Sequence, residues 1–208
     1  MRSPDDSCDS ICRVVRSTYT RHADEYVRGT SSYSSFPGLE DEVRGFLAAA
    51  PSGRVLDLGA GSGRDSRLAV EAGRRVLSCD ASIGILRSRF ADRAGSPVCG
   101  DALRIPFRSG SFSALIASGV LLHLPRRCCQ PALEEIRRVL TPDGRAFVSM
   151  KLGRGEGWRT TPRFPHPRWF TYYQVAEFGE MCERAGLLVS ATLSGDREDW
   201  FTVTLVQR

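Results

Sequence analysis

From residue 54 to residue 150 the chain alternates between two rhythms. Short apolar runs stop at a glycine or an acid, and each gives way to a stretch whose apolar side chains return every three or four positions. Arg54–Leu58, Arg75–Cys79, Pro97–Cys99, Phe112–Ala117 and Arg145–Met150 read as strands. Asp65–Ala72, Ile83–Phe90 and Pro131–Leu140 read as helices. Gly73 stands where a helix C-cap is needed, and Thr141-Pro142-Asp143-Gly144 has the composition of a turn. Upstream, Thr18–Val27 repeats Tyr19, Ala23, Tyr26 and Val27 at helical spacing, and Leu39–Ala50 sets Leu39, Val43, Phe46 and Leu47 on one face. Downstream, Tyr172–Ala185 reads as a helix. Leu187–Leu193 and Trp200–Val206 read as a closing antiparallel pair turned by Ser194–Asp199. Strands alternating with helices predict an α/β fold: a seven-stranded, mostly parallel sheet with an antiparallel C-terminal strand and helices on both faces.

The remaining segments set the domain plan. Residues 1–17 are polar and are expected to be a flexible N-terminal segment. Residues 18–208 make one domain, opened by an N-terminal helical cap over 18–50. Lys151–Pro167 interrupts the rhythm with Gly153, Gly155, Gly157, Pro162, Pro165 and Pro167, and reads as irregular. In open α/β sheets ligands bind beyond the carboxyl ends of the strands, so residues 151–170 are a candidate substrate lid.

Chemistry concentrates at those strand ends. Val55-Leu-Asp57-Leu-Gly59-Ala60-Gly61-Ser-Gly63 is a strand that stops at a carboxylate and enters a glycine turn. Glycine lets backbone approach a ligand closely, and the following helix offers free N–H groups. A dinucleotide fingerprint needs a glycine at the sixth position, but Arg64 or Ser66 stands there, depending on the starting glycine. A carboxylate at Asp57 would also repel a diphosphate and suits a ligand with a cationic amine. The second strand ends in Asp80, 23 residues beyond Asp57, a spacing suited to a ribose diol acceptor. Gly100-Asp101-Ala102 ends the third strand, and Ala117-Ser118-Gly119 through His123 ends the fourth.

The Asp57–Gly63 turn resembles motif I of the class I, Rossmann-like S-adenosylmethionine-dependent methyltransferases. Gly100-Asp101-Ala102 with Ile105-Pro-Phe107 resembles another stretch of that family, although Ser113 replaces its usual acid. Tyr19-Thr-Arg-His-Ala-Asp-Glu-Tyr26 resembles its cofactor-covering helix. The resemblance runs from about Tyr19 to Met150. It implies that Gly59, Ala60, Gly61 and Gly63 flank the methionine and ribose portions of the cofactor, with Asp57 near its amino group. It also implies that Asp80 holds the ribose hydroxyls, that Ala81 borders adenine, and that Asp101 and Ala102 bond the adenine edge. Tyr19, Tyr26 and Ser118 are the further expected cofactor contacts. His123 is a candidate general base, because an unperturbed imidazole titrates near pH 6.5. Trp158, His166 and Tyr172 are expected at the substrate.

Composition changes this picture little. Net charge is +5, but Lys151 is the only lysine among 29 basic residues, and the arginines are scattered. Such a skew argues for coding bias over a nucleic-acid surface. Seven cysteines without a CxxC pair predict reduced thiols and no metal. The N-terminus has no signal-peptide pattern and no apolar run is long enough to span a membrane, so a cytoplasmic protein is expected. The leading functional expectation is methyl transfer to a small molecule on N, O or C. Trp169-Phe-Thr-Tyr-Tyr173, Cys182 and Trp200 loosely resemble wobble-uridine tRNA methyltransferases, which keeps a tRNA acceptor as an alternative. A non-catalytic cofactor-binding partner subunit is a third. The oligomeric state is left open.

Overall fold

The computed structural model describes residues 7–88, 95–193 and 199–208. Helix α1 (Cys8–Arg21) starts where the Ser7 hydroxyl accepts the Ser10 N–H, carries Asp9 in its first turn and Arg21 in its last, and buries Ile11 and Val15 one turn apart. Residues 8–17 are therefore helical and packed, where a flexible segment was expected. Helix α2 (Ala23–Thr30) follows after a break at His22, so the expected single helix over Thr18–Val27 is two. Helix α3 (Leu39–Ala49) buries Leu39, Val43, Phe46 and Leu47, the stripe legible in the sequence.

The central unit is β1 (Arg54–Leu58), α4 (Arg64–Glu71), β2 (Arg75–Asp80), α5 (Ile83–Ser88), β3 (Ser96–Cys99), β4 (Phe112–Ser118), α6 (Arg126–Val139) and β5 (Leu140–Lys151). β6 (Glu156–Thr161), β7 (Phe164–Thr171), α7 (Val175–Arg184), β8 (Leu187–Leu193) and β9 (Trp200–Gln207) complete the chain. Residues 1–6 of the expected flexible segment, Arg89 and Phe90 at the expected end of α5, and 194–198 of the expected closing turn lie outside the described residues. The main sheet has the order β3-β2-β1-β4-β5-β9-β8. Its first five strands run parallel, while β9 pairs antiparallel with both β5 and β8. The seven-stranded, mostly parallel expectation is what the fold shows. Central strands carry apolar residues on both faces because helices cover both, and β4 is buried from Phe112 to Ala117. α3 and α4 pack Phe46, Leu47, Leu68 and Ala69 on one face; α6 and α7 pack Leu133, Ile136, Phe178 and Met181 on the other.

Three local readings change. Helix α6 begins at Arg126, five residues before Pro131, and the proline lies within it. Thr141–Gly144 falls inside β5: Phe112 pairs with Leu140 and Ala114 with Arg145, so these residues loop out as a bulge. Residues 156–171 form a two-stranded antiparallel hairpin, β6–β7, in place of an irregular segment. Its Trp158–Trp169 and Gly157–Phe170 pairs supply the cross-strand contacts that its prolines had masked. Cys8 and Cys128 are joined as a disulfide, Cα atoms 6.4 Å apart, which ties α1 to α6 and corrects the expectation of seven free thiols.

Candidate functional site

The carboxyl ends of β1, β2, β3 and β4 open into a cleft of about 120 Å³. Tyr19, Tyr26, Gly59, Gly61, Asp80, Ala81, Asp101, Ala102, Ser118 and His123 line it, together with Cys12, Val15 and Arg16 of α1. The turn is built for close approach. Gly59 has φ +66°, and a Cβ there would sit 2.4 Å from Val120 Cγ2. Gly61 has φ +53° beneath the Tyr26 ring, and its N–H donates to Asp80 Oδ2 at 3.0 Å. Asp80 Oδ1 accepts the Ser82 N–H at 2.8 Å, so the carboxylate is oriented by backbone from two directions. Asp101 Oδ1 accepts the Leu103 N–H at 2.9 Å. Two oriented carboxylates on one cleft wall, facing glycine backbone, make an acceptor set suited to a diol and an exocyclic amine.

Asp57, Ala60 and Gly63 do not line the cleft. Asp57 is 2% exposed and accepts the Ser66 hydroxyl at 2.5 Å, with Ser78 2.7 Å further on. It holds the turn to the start of α4 from beneath. The Ala60 N–H donates to the Cys79 carbonyl, locking β1 to β2, and Gly63 starts α4 with φ +78°.

A second, wider cavity of about 540 Å³ adjoins the first. The two share Tyr19, Tyr26, Ser118, Gly119 and His123 as a common wall. Its other sides are Phe36, Arg64, Lys151, Arg163, Phe164, Arg168, Phe170 and Trp200. Of the aromatics expected at the substrate, neither Trp158 nor Tyr172 reaches it. Trp158 is 38% exposed and packs edge-on against Trp169, and Tyr172 stacks on Phe170. His166 also lies outside it, bonded through Nε2 to Glu25 at 2.8 Å.

Arg64 and Lys151 face this cavity but are paired, Arg64 with Asp65 and Lys151 with Asp199. Arg168 differs. It is 5% exposed, and among the described residues no carboxylate pairs with it. Its Nη1 donates to Tyr19 Oη at 3.1 Å, and its Nη2 to Thr161 Oγ1 at 2.9 Å and to the Phe164 carbonyl at 3.3 Å, while the Nε–H is buried with no acceptor. Phe164 and Phe170 lie 4.7 and 5.0 Å from the guanidinium carbon. Ring faces offset part of the charge but supply no hydrogen-bond acceptor. Sequence reasoning missed Arg168, because nothing in its neighbourhood marks a buried cation.

His123 is committed on both sides. Its Nδ1 lies 2.7 Å from the Trp169 carbonyl, which can only accept, so Nδ1 carries the proton. The bare Nε2 then accepts the Tyr19 hydroxyl at 2.9 Å. Burial, aided by nearby Arg168, pushes its pKa down to about 3. Burial also raises the Tyr19 pKa, so the phenol keeps its proton. An imidazole so acidic when protonated is a weak general base near neutrality, which weighs against the catalytic role expected of His123.

Residues 56–148 match the family model of a methyltransferase domain. A demethylmenaquinone methyltransferase from Streptomyces avermitilis is 31% identical over 135 residues, 64% of this chain and 52% of that protein. A malonyl-[acyl-carrier protein] O-methyltransferase from Herminiimonas arsenicoxydans is 33% identical over 132 residues, 60% of this chain and 48% of that protein. The chain thus spans about half the length of the curated relatives it matches. The solved structure of Burkholderia thailandensis 1,6-didemethyltoxoflavin-N1-methyltransferase, with 1,6-didemethyltoxoflavin and S-adenosylhomocysteine bound, superposes with a TM-score of 0.77. That match covers all of this chain and 93% of the other at 18% identity, a likeness of fold.

Proposed function

We propose that this chain, whose residues 56–148 match a methyltransferase-domain model, is a class I S-adenosylmethionine-dependent methyltransferase and that it methylates a small, anionic acceptor. The observation that supports this best is the pair of adjoining cavities with one wall in common. One has the carboxylates and glycine backbone that suit the cofactor. The other is ringed by aromatic side chains and ends at a buried, uncompensated guanidinium.

In this reading Asp80 holds the ribose hydroxyls, Asp101 and the Ala102 N–H hold adenine, and the Gly59–Gly61 backbone receives the methionine end. The cofactor, when bound, supplies a methyl group on a positively charged sulfur, an electrophile that is already activated. The protein's part is then alignment and exclusion of water. The β6–β7 hairpin covers the acceptor cavity, with Phe164, Arg168 and Phe170 facing inward. Arg168 pairs with the acceptor's negative group. A buried cation left without an anion is costly, and the acceptor offsets that cost only when seated. His123 and Tyr19 position the common wall and leave proton removal to the acceptor's own acidity.

The test is a methyl-labelling experiment. Purified protein and isotopically methyl-labelled S-adenosylmethionine are added to a cell extract split into a low-molecular-mass filtrate and an RNA fraction. Label should enter the filtrate, in species retained by an anion exchanger, and Arg168→Gln should raise the KM of that product's precursor more than tenfold. Label confined to RNA would replace the small-molecule reading with the tRNA one. Label in a neutral or cationic compound would remove the role given to Arg168.

A further inference from the structure

His22, Glu25 and His166 meet at the seam between the N-terminal helices and the hairpin. His22 is the break between α1 and α2, Glu25 lies in the first turn of α2, and His166 is on β7. One donor atom from each lies within 4.8 Å of the others. His166 Nε2 is 2.8 Å from Glu25 Oε2, and the two imidazole rings stack 3.5 Å apart at 11°. These are two of the chain's three histidines. Phe164 meets both rings edge-on and forms an apolar floor. None of the three residues lines the cofactor or acceptor cavity, so the proposed transfer chemistry leaves the cluster unused.

We propose that His22, Glu25 and His166 bind a divalent first-row metal ion, zinc by the nature of the donors, and so clamp the hairpin to the N-terminal helices. Two imidazoles and one carboxylate are a set that zinc takes readily, with a fourth position left to water. The i, i+3 spacing of His22 and Glu25 puts both on one side of the helix start, and His166 closes the triangle from the other element. Parallel stacked rings cannot aim both lone pairs at one point. Binding turns one ring out of the stack, replaces the His166–Glu25 hydrogen bond with two metal bonds, and releases any proton held there. Both histidines are only partly buried and Glu25 is exposed, so water can complete the shell. The clamp matters because Tyr19 and Tyr26, which roof the cofactor cavity, flank His22 on the same two helices, and Arg168 lies two residues beyond His166. The sequence hid the site because His166 is 141 residues from Glu25.

The experiment is titration of chelator-treated protein with cobalt(II) and zinc(II) alone, read by visible absorption and calorimetry. The expected result is one equivalent of four-coordinate cobalt without sulfur-to-metal charge transfer, which sets the site apart from the free cysteines. His166→Ala and Glu25→Gln should each weaken zinc binding at least about tenfold, the lower end of what even an outer-shell change costs at zinc sites. Circular dichroism and S-adenosylmethionine affinity, measured alongside, show that each variant is folded and keep this test separate from that of the transferase reading. No binding to wild-type protein, thiolate bands, or equal binding by both variants would overturn the proposal.

Discussion

His123→Gln should flatten the acid side of the stability profile. In the folded protein His123 has its pKa pushed down to about 3 by burial, against 6.5 when unfolded. Between those values the unfolded chain binds a proton that the folded chain refuses, so stability is complete above pH 6.5 and drains away as pH falls toward 3. At pH 5 the imidazole contributes a loss of about 2 kcal/mol relative to pH 7, since each pH unit below 6.5 costs roughly 1.36 kcal/mol. For a chain of 208 residues that corresponds to roughly 4–8 °C in Tm. Glutamine retains one donor and one acceptor for the Trp169 carbonyl and the Tyr19 hydroxyl but has no proton to gain. The variant should start lower, through imperfect packing, and then lose less on acidification. The assay is thermal or urea unfolding at half-unit steps from pH 7 to pH 5, where carboxylates contribute little. Ionisations elsewhere are common to both proteins and cancel in the difference. Parallel curves for wild type and variant would refute the buried, neutral imidazole, and with it the case against His123 as a base.

Three further outcomes are expected. Gly59→Ala forces a Cβ to within 2.4 Å of Val120 Cγ2 at φ +66°, so it should cost about 1–3 kcal/mol in unfolding experiments and abolish measurable S-adenosylmethionine binding by calorimetry. Asp80→Ala removes an oriented carboxylate from the cleft and should weaken cofactor binding by about 1–3 kcal/mol; unchanged affinity would end its ribose assignment. Thiol titration of denatured, unreduced protein should count five of the seven cysteines, because Cys8 and Cys128 are joined, and a count of seven would show the bridge unformed.

What the sequence made legible was whatever is local. The Asp57–Gly63 turn, the strand-end Asp80 and Asp101, and the helix stripe at Leu39, Val43, Phe46 and Leu47 each declare themselves within ten residues, since backbone geometry or helix period dictates residue type there. What stayed hidden depends on long-range contact. The hairpin's glycines and prolines resemble those of a loop, but its strands are held by Trp158 against Trp169 and Glu156 against Thr171. Arg168 resembles any surface arginine until Phe164, Phe170 and Tyr19 are folded around it. Asp57 sits apart from the cleft for the opposite reason: its motif is clear, but Ser66, which donates to its carboxylate below the turn with Ser78 bonded behind it, is not part of that motif.

Tyr19 is where the two halves of the site become one device. Its ring lies beside Tyr26, at a centroid distance of 4.9 Å, on the wall common to the two cavities. Its hydroxyl accepts from Arg168 and donates to His123, and His123 donates onward to the Trp169 carbonyl of the hairpin. The chain of bonds therefore begins and ends on β7 and passes through α1. On the proposed reading, an anion that draws the Arg168 guanidinium forward takes a donor from Tyr19, and the phenol must answer, since its remaining partner cannot take a second proton near neutrality. Acceptor binding and cofactor binding should thus be coupled through one hydroxyl. Tyr19→Phe tests this in a way that a packing defect would not imitate: it should leave each ligand able to bind alone and remove the dependence of one affinity on the other.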